Sequence, residues 1–225
     1  MANRSYLYSL SNQPKSYSDR PESISGLSEW PYSIPFTYRV LMSGNPKLCA
    51  SLVSDGFEDD SPDNKTQLYA ISSDFEAGFA RLKKFVEILR FISKDITDLP
   101  DSMLNETLEF LQKHKNRYLL LETIELDCMD ESEESVLRGY VESEIIACRE
   151  AGAAIDALPE DPKVSADIVK RVAENNSEST LSPFYGLQFN GKFDNVESEP
   201  PLGLYWSDVL YYELESKKEF EESLE

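Results

Sequence analysis

The segment from Asp74 to about Ile96 most constrains the fold. Phe75, Phe79, Leu82, Val86 and Leu89 recur at helical spacing, and Phe85, Ile88 and Ile92 widen the stripe. An apolar stripe this wide needs cover on much of the helix circumference, so the helix belongs inside a layered domain. Ser73, with Glu76 three residues later, predicts a capping box at its start. Three more segments carry helix signals. Asp101–Lys115 turns Leu104, Leu108 and Leu111 inward and ends in Lys113, His114 and Lys115, where cations favour the helix dipole. Ser132–Leu158, with Asp130 and Glu133 as capping candidates, sets Leu137, Val141, Ile145, Cys148 and Ile155 near one face and a Glu134–Arg138–Glu142 ladder on another. Its Ala151–Gly152–Ala153–Ala154 run allows another backbone to come close. Asp161 as N-cap and Pro162 at the first helical position open a helix through about Glu174.

Shorter elements flank this helical middle. Arg4–Ser9 alternates and reads as a strand. Ser11–Ser25 reads as a loop, and Gly26–Pro35 is an aromatic stretch broken by prolines. Pro35 predicts a short helix over Phe36–Met42, ended by Ser43-Gly44-Asn45-Pro46. Leu48–Val53 is a short apolar piece, and Leu68–Ile71 reads as a strand. Arg117–Asp127 fits either a buried strand or a helical continuation, with strand preferred. Asn190-Gly191 inside Phe184–Phe193 is a hairpin signal. Asp208–Leu214 is aromatic and strand-like, and a charged stretch follows to Glu225. This order predicts an α+β fold, a helix-dominated middle packed on a small sheet, as a single domain over 1–215 with a charged C-terminal tail over 216–225.

Charge bounds function. The 225 residues carry 42 Asp and Glu against 22 Lys and Arg, a formal net charge of -20. Such a surface repels phosphate backbones and anionic lipid, which predicts neither a nucleic-acid nor a membrane partner. It attracts basic proteins and speeds their association. Cys49, Cys128 and Cys148 have neither disulfide-framework nor zinc-site spacing, so reduced thiols in a cytoplasmic protein are expected. The N-terminal residues show no apolar leader pattern, and no apolar run reaches membrane-spanning length.

The motifs of common enzymes are missing from the sequence: no GxSxG elbow, no phosphate loop, and one histidine where HExxH needs two. His114, between two lysines, reads as a solvated side chain. Asp208 beside Trp206 is the kind of arrangement a glycosidase site uses, but an aromatic core near a polar turn is the preferred explanation. Arg81, Lys83, Lys84, Arg90 and Lys94 read as the wet side of the long helix, pairing with the acidic surplus. Asp55–Asp63 is the densest acidic run and lacks the ligand order of a calcium loop. Neither a metal nor a cofactor is expected. The candidate partner-binding residues are Trp30 and Tyr32 as aromatic anchors and Asp55, Glu58, Asp59 and Asp60 as steering charges.

Met1-Ala-Asn-Arg-Ser-Tyr-Leu-Tyr-Ser9, Gly26-Leu-Ser-Glu-Trp30 and Ile34-Pro-Phe-Thr-Tyr38 through Ser43-Gly44 resemble an uncharacterised bacterial family of similar length, with no assigned activity. The resemblance implies a bacterial, cytosolic domain and carries no functional residues. The leading expectation is a non-enzymatic acidic protein that binds a basic protein, an immunity-type inhibitor of a basic toxin being its sharpest form. The alternatives are a carboxylate-dependent hydrolase and a structural or regulatory protein.

Overall fold

The apolar stripes lie against one face of a five-stranded sheet in the computed structural model, which describes residues 3–57, 59–61, 65–95, 99–129, 131–175, 179–191, 193 and 200–225. The chain order is β1 (Arg4–Leu10), β2 (Ile24–Pro31), α1 (Phe36–Met42), β3 (Lys47–Ala50), β4 (Tyr69–Asp74), α2 (Phe75–Ile92), α3 (Asp101–Lys113), β5 (Tyr118–Glu122), α4 (Ile124–Asp127), α5 (Glu134–Ala157), α6 (Pro162–Glu174) and α7 (Lys217–Ser223). The strands run in the order β2-β1-β5-β4-β3, each neighbour antiparallel. This is the expected α+β fold.

Alternation along the strands divides the core. Leu7, Ile71, Leu119 and Leu121 join the main core with α1, α2, α5 and α6. Tyr6, Tyr8, Leu10, Ala70 and Leu120 face the other way into a smaller cluster. Phe79, Val86 and Val141 are buried, and Ile168 packs on the main core.

Three glycines let the helices come this close. A Cβ on Gly78 of α2 would lie 1.7 Å from the carbonyl oxygen of Leu41 in α1. One on Gly44 would lie 2.3 Å from the Asp74 carbonyl, and one on Gly152 of α5 would lie 2.6 Å from Ser43 Cβ. Gly152 confirms the close approach expected of the small-residue run in α5.

The second sheet face is covered by irregular chain. Leu210 is buried there, Tyr8 Oη donates to the Tyr212 carbonyl at 2.7 Å, and Tyr212 Oη donates to the Val53 carbonyl at 2.7 Å. The segment expected as a charged tail instead forms α7. A Ser216–Glu219 capping box opens it, Lys217 N donates to the Pro21 carbonyl at 2.9 Å, and Phe220 and Tyr17 bracket the Arg20 guanidinium.

Other expectations change for tertiary reasons. Ser73 caps no helix: it pairs with Leu119 inside β4, its buried hydroxyl has no partner, and Glu76 pairs instead with Lys115. Glu133 occupies the N-cap position of α5 without a side-chain cap bond, and Asp130 lies outside the described residues. The Gly26–Pro35 stretch contributes most of β2. Arg117–Asp127 resolves into β5 followed by the short α4. No hairpin forms among the described residues around Asn190-Gly191. Phe184 is drawn into the core against Phe36 and Phe85, and Gln188 makes an isolated parallel bridge to Pro201. The Asp208–Leu214 segment covers the sheet without joining it.

The glycine contacts set a paired expectation. Gly78→Ala should lower unfolding free energy by about 3 kcal/mol through forced separation of α1 and α2. Gly139→Ala, at a position in α5 where a Cβ meets nothing within 4 Å, should raise it by roughly 0.5–1 kcal/mol. Urea melts of both variants check this, and a neutral Gly78→Ala would contradict the packing.

Candidate functional site

The pairing register brings several loops to one end of the sheet. Arg4 pairs with Pro31, Tyr6 with Glu122, Leu121 with Ile71, and Tyr69 with Ala50. The exits of β2, β5 and β3 and the entries of β1 and β4 therefore lie together. Tyr32–Ile34, α4 and the 51–68 loop all leave from this end.

These loops do not form one surface from the expected residues. Trp30 is core, 2% exposed, with its ring edge-on to Phe193 at 5.3 Å. Strand alternation and the apolar layer beneath β2 hold it inside, so it cannot anchor a partner. Tyr32 is 52% exposed and sits in the left-handed backbone region at φ 59°. The acidic loop leaves the opposite edge of the sheet, four strand spacings or roughly 19 Å away. That loop is largely self-braced. Asp60 accepts from the backbone of Phe57 at 2.7 Å and Thr66 at 2.8 Å and from the Thr66 hydroxyl at 3.0 Å. The Thr66 and Phe57 amides hold its carboxyl below the usual carboxylate range. Asp55 pairs with Lys65, Asp59 is exposed, and Glu58 lies outside the described residues.

A cleft of about 490 Å³ opens beside Tyr32, lined by Ser33, Ile34, Arg39, Leu126, Asp127, Tyr185, Gly186, Pro200 and Pro201. Its size suits a small ligand or a partner side chain. The short α1 presents Arg39, which donates Nε to Glu144 Oε1 at 2.7 Å and Nη2 to Glu144 Oε2 at 3.0 Å. This fork-to-carboxylate pairing fixes the guanidinium and neutralises it. The buried Cys148 thiol lies 3.9 Å from the same Glu144 oxygen. Asp127 ends α4, and Thr123, one turn earlier, donates its hydroxyl to Asp127 Oδ2 at 2.5 Å. Burial pushes the Asp127 carboxyl up to about 6; the Thr123 bond opposes this and the charge of Glu144 adds to it. The Arg39–Glu144 pair balances its own charge, so an ionised Asp127 leaves a surplus negative charge at the cleft.

Nothing local in the sequence signals this group. Arg39 and Glu144 are 105 residues apart, and Asp127 ends the run whose periodicity fits strand and helix alike. Tyr185 falls in the segment expected to form a hairpin. Other charged candidates are accounted for. Arg81 pairs with Asp156, Lys84 with Glu160, and Arg90 with Glu87, as expected for the wet side of α2. His114 is not solvated: its ring stacks on Phe110 at 4.4 Å and Asp208 lies 3.8 Å away. Trp206 donates its indole N–H to Thr107 Oγ1 at 2.9 Å. No group of three or more His, Cys, Asp or Glu among the described residues is arranged to hold a metal. No helix among them is long and apolar enough to cross a membrane. All three cysteines are free.

A second buried carboxyl has a structural task. Glu122 accepts from Leu52 N at 2.7 Å and Ser51 Oγ at 2.8 Å, tying β5 to the loop after β3. Burial raises it from 4.5 to about 7 against these bonds and the charge of Arg20. The folded protein therefore holds this proton more tightly than the unfolded chain, so the group costs stability as pH rises from 4.5 to about 7. Glu122→Gln should be more stable than the parent by about 3 kcal/mol at about pH 8, and the two should converge at about pH 4. Denaturant melts across this range test it; a constant difference would contradict the linkage.

A family model described as a domain of unknown function (DUF7822) matches residues 11–161, a stretch that holds Ser33, Arg39, Asp127 and Glu144 but not Tyr185. No curated protein and no solved structure matches the chain. The match covers well over half of the sequence, and the chain belongs to the DUF7822 domain-of-unknown-function family.

Proposed function

We propose that this is a non-enzymatic binding protein of the bacterial cytoplasm whose partner is a basic protein, engaged at the cleft beside Tyr32. The observation that carries the reading is Asp127: a half-buried carboxylate at a cleft, beside a second carboxylate, with the only guanidinium of the group already committed to Glu144. A carboxylate in that setting gains from an incoming cation, which restores the charge lost to desolvation. The net charge of -20 adds long-range attraction for the same class of partner. Tyr32, exposed next to Ser33 at the cleft wall, supplies aromatic contact area. Inhibition of a basic toxin is one form such binding takes.

The hydrolase alternative has weaker support. A carboxyl raised to about 6 suits a general acid. The carboxylate available as its partner, Glu144, is held by two hydrogen bonds from Arg39 and is not free to activate water.

Affinity capture from the native host at low salt, followed by purification of the retained proteins, tests the reading. A basic protein should bind saturably and lose affinity as salt rises. Asp127→Asn should weaken it about tenfold, equivalent to about 1.4 kcal/mol, while Asp59→Asn changes it less than twofold. Capture of only neutral or acidic proteins, or binding indifferent to Asp127→Asn, would refute it.

A further inference from the structure

We propose that the cleft is a guanidinium pocket, taking one arginine side chain with its planar head between the Tyr185 ring and the Asp127 carboxylate. The inference rests on the cation-binding reading above and names the chemical group. Four observations converge on it.

The polar side chains lining the cleft have acceptor capacity to spare. Asp127 Oδ2 takes the Thr123 hydroxyl, while Asp127 Oδ1, Ser33 Oγ and Tyr185 Oη have no hydrogen-bond partner among the described residues. A carboxylate has about four lone-pair positions, so one bond from Thr123 leaves an edge for two parallel N–H donors. A guanidinium brings five donors and no acceptor, and so matches such a wall.

Charge favours a cation despite Arg39. That guanidinium is held by Glu144 through two bonds, so the group of Arg39, Glu144 and Asp127 carries one net negative charge when Asp127 is ionised. One incoming positive charge balances it.

The remaining walls distinguish arginine from lysine. Tyr185 lines the cleft and is 47% exposed, so its ring is accessible to a ligand there. Ile34, Leu126 and Pro201 give apolar surface along which a methylene stem can lie. A guanidinium is weakly hydrated, planar and stacks on aromatic rings, whereas an ammonium is compact and strongly hydrated. A cleft with apolar walls, a ring and one carboxylate edge strips less water from the former.

Finally, the acceptors are pre-positioned. Thr123 and Asp127 bracket α4, and α4 also holds Glu125, which accepts from Arg4 N at 3.0 Å and Tyr6 Oη at 2.8 Å on β1. The carboxylate therefore stands on a braced turn, which lowers the ordering cost of binding.

The probes are N-acetyl-arginine amide and N-acetyl-lysine amide, titrated into the ¹⁵N-labelled full chain at matched ionic strength. The arginine probe should bind with a Kd of about 1 mM or tighter and shift the amides of Ser33, Thr123–Asp127 and Tyr185. The lysine probe should bind at least fivefold more weakly. Asp127→Asn should cost at least tenfold, and Tyr185→Ala, at an exposed ring, at least threefold, with each variant's spectrum showing that the fold is kept. Equal binding of both probes, indifference to both substitutions, or shifts centred on residues 55–60 would overturn the pocket. The two readings fail separately. An arginine probe that behaves as expected without any basic protein partner leaves a small-molecule guanidinium site and removes the partner. A basic partner that depends on Asp127, with no arginine-probe shift in the cleft, keeps the partner and removes the pocket.

Discussion

The fold depends on how closely α1 lies under α2. The Leu41 carbonyl occupies the space where a side chain on Gly78 would stand, and Gly44 and Gly152 remove the same obstruction on either side of Ser43. A Cβ at these points would set the helices farther off, and α1 would no longer fill the space between the sheet and its outer helices. The consequence reaches the cleft. Arg39 is carried by α1 and Glu144 by α5, so the two-bond ion pair between them measures the spacing of these helices. A side chain at Gly152, where α5 meets Ser43, would alter the distance that this pair now spans.

Sequence reading works best here where an element is decided by its own residues. The Phe36–Met42 helix after Pro35 and the Pro162–Glu174 helix after Asp161 fall where the local signals place them, and Asp161 accepts from Lys163 N and Val164 N as an N-cap should. Those signals act over three or four residues, and nothing distant competes. Ser73 shows the other case. The Ser73–Glu76 spacing is a sound capping pattern, yet pairing of Ser73 with Leu119 extends the strand through it and leaves its hydroxyl buried without a partner. Gly26–Pro35 fails in the opposite direction. Its glycine, serines and prolines argue against a strand, and β2 exists because β1 offers partners along its length on one side, interrupted by one bulge.

The site was less legible than the fold because charge composition does not say which charges are already used. Asp55–Asp63 is the most visible acidic run, but Asp60 is consumed in bracing its own loop and Asp55 is paired with Lys65. Asp127 attracts no notice in the sequence. Its environment arises from Thr123 one turn back, from Glu144 on another helix and from a cleft whose lining includes Tyr185, Gly186, Pro200 and Pro201. Trp30 and Tyr32 show how little separates an anchor from a core residue. They are two positions apart, but the chain leaves the strand after Pro31 and takes a left-handed turn at Tyr32, which swings the second ring outward.

The C-terminal segment does more than cover the second face of the sheet. At the β-bulge where β2 slips register against β1, the Leu27 carbonyl is free of its strand partner and accepts from Ser207 N at 3.0 Å. The Asp208 carbonyl lies over Gly26, and Tyr211 N donates to Glu29 at 2.6 Å. Part of the outer rim of an edge strand is therefore occupied by chain that is not itself a strand. An exposed edge of this kind is a template for pairing between molecules. The irregular strap thus covers part of that template: it satisfies the Leu27 carbonyl without extending the ladder and creating a new edge in turn.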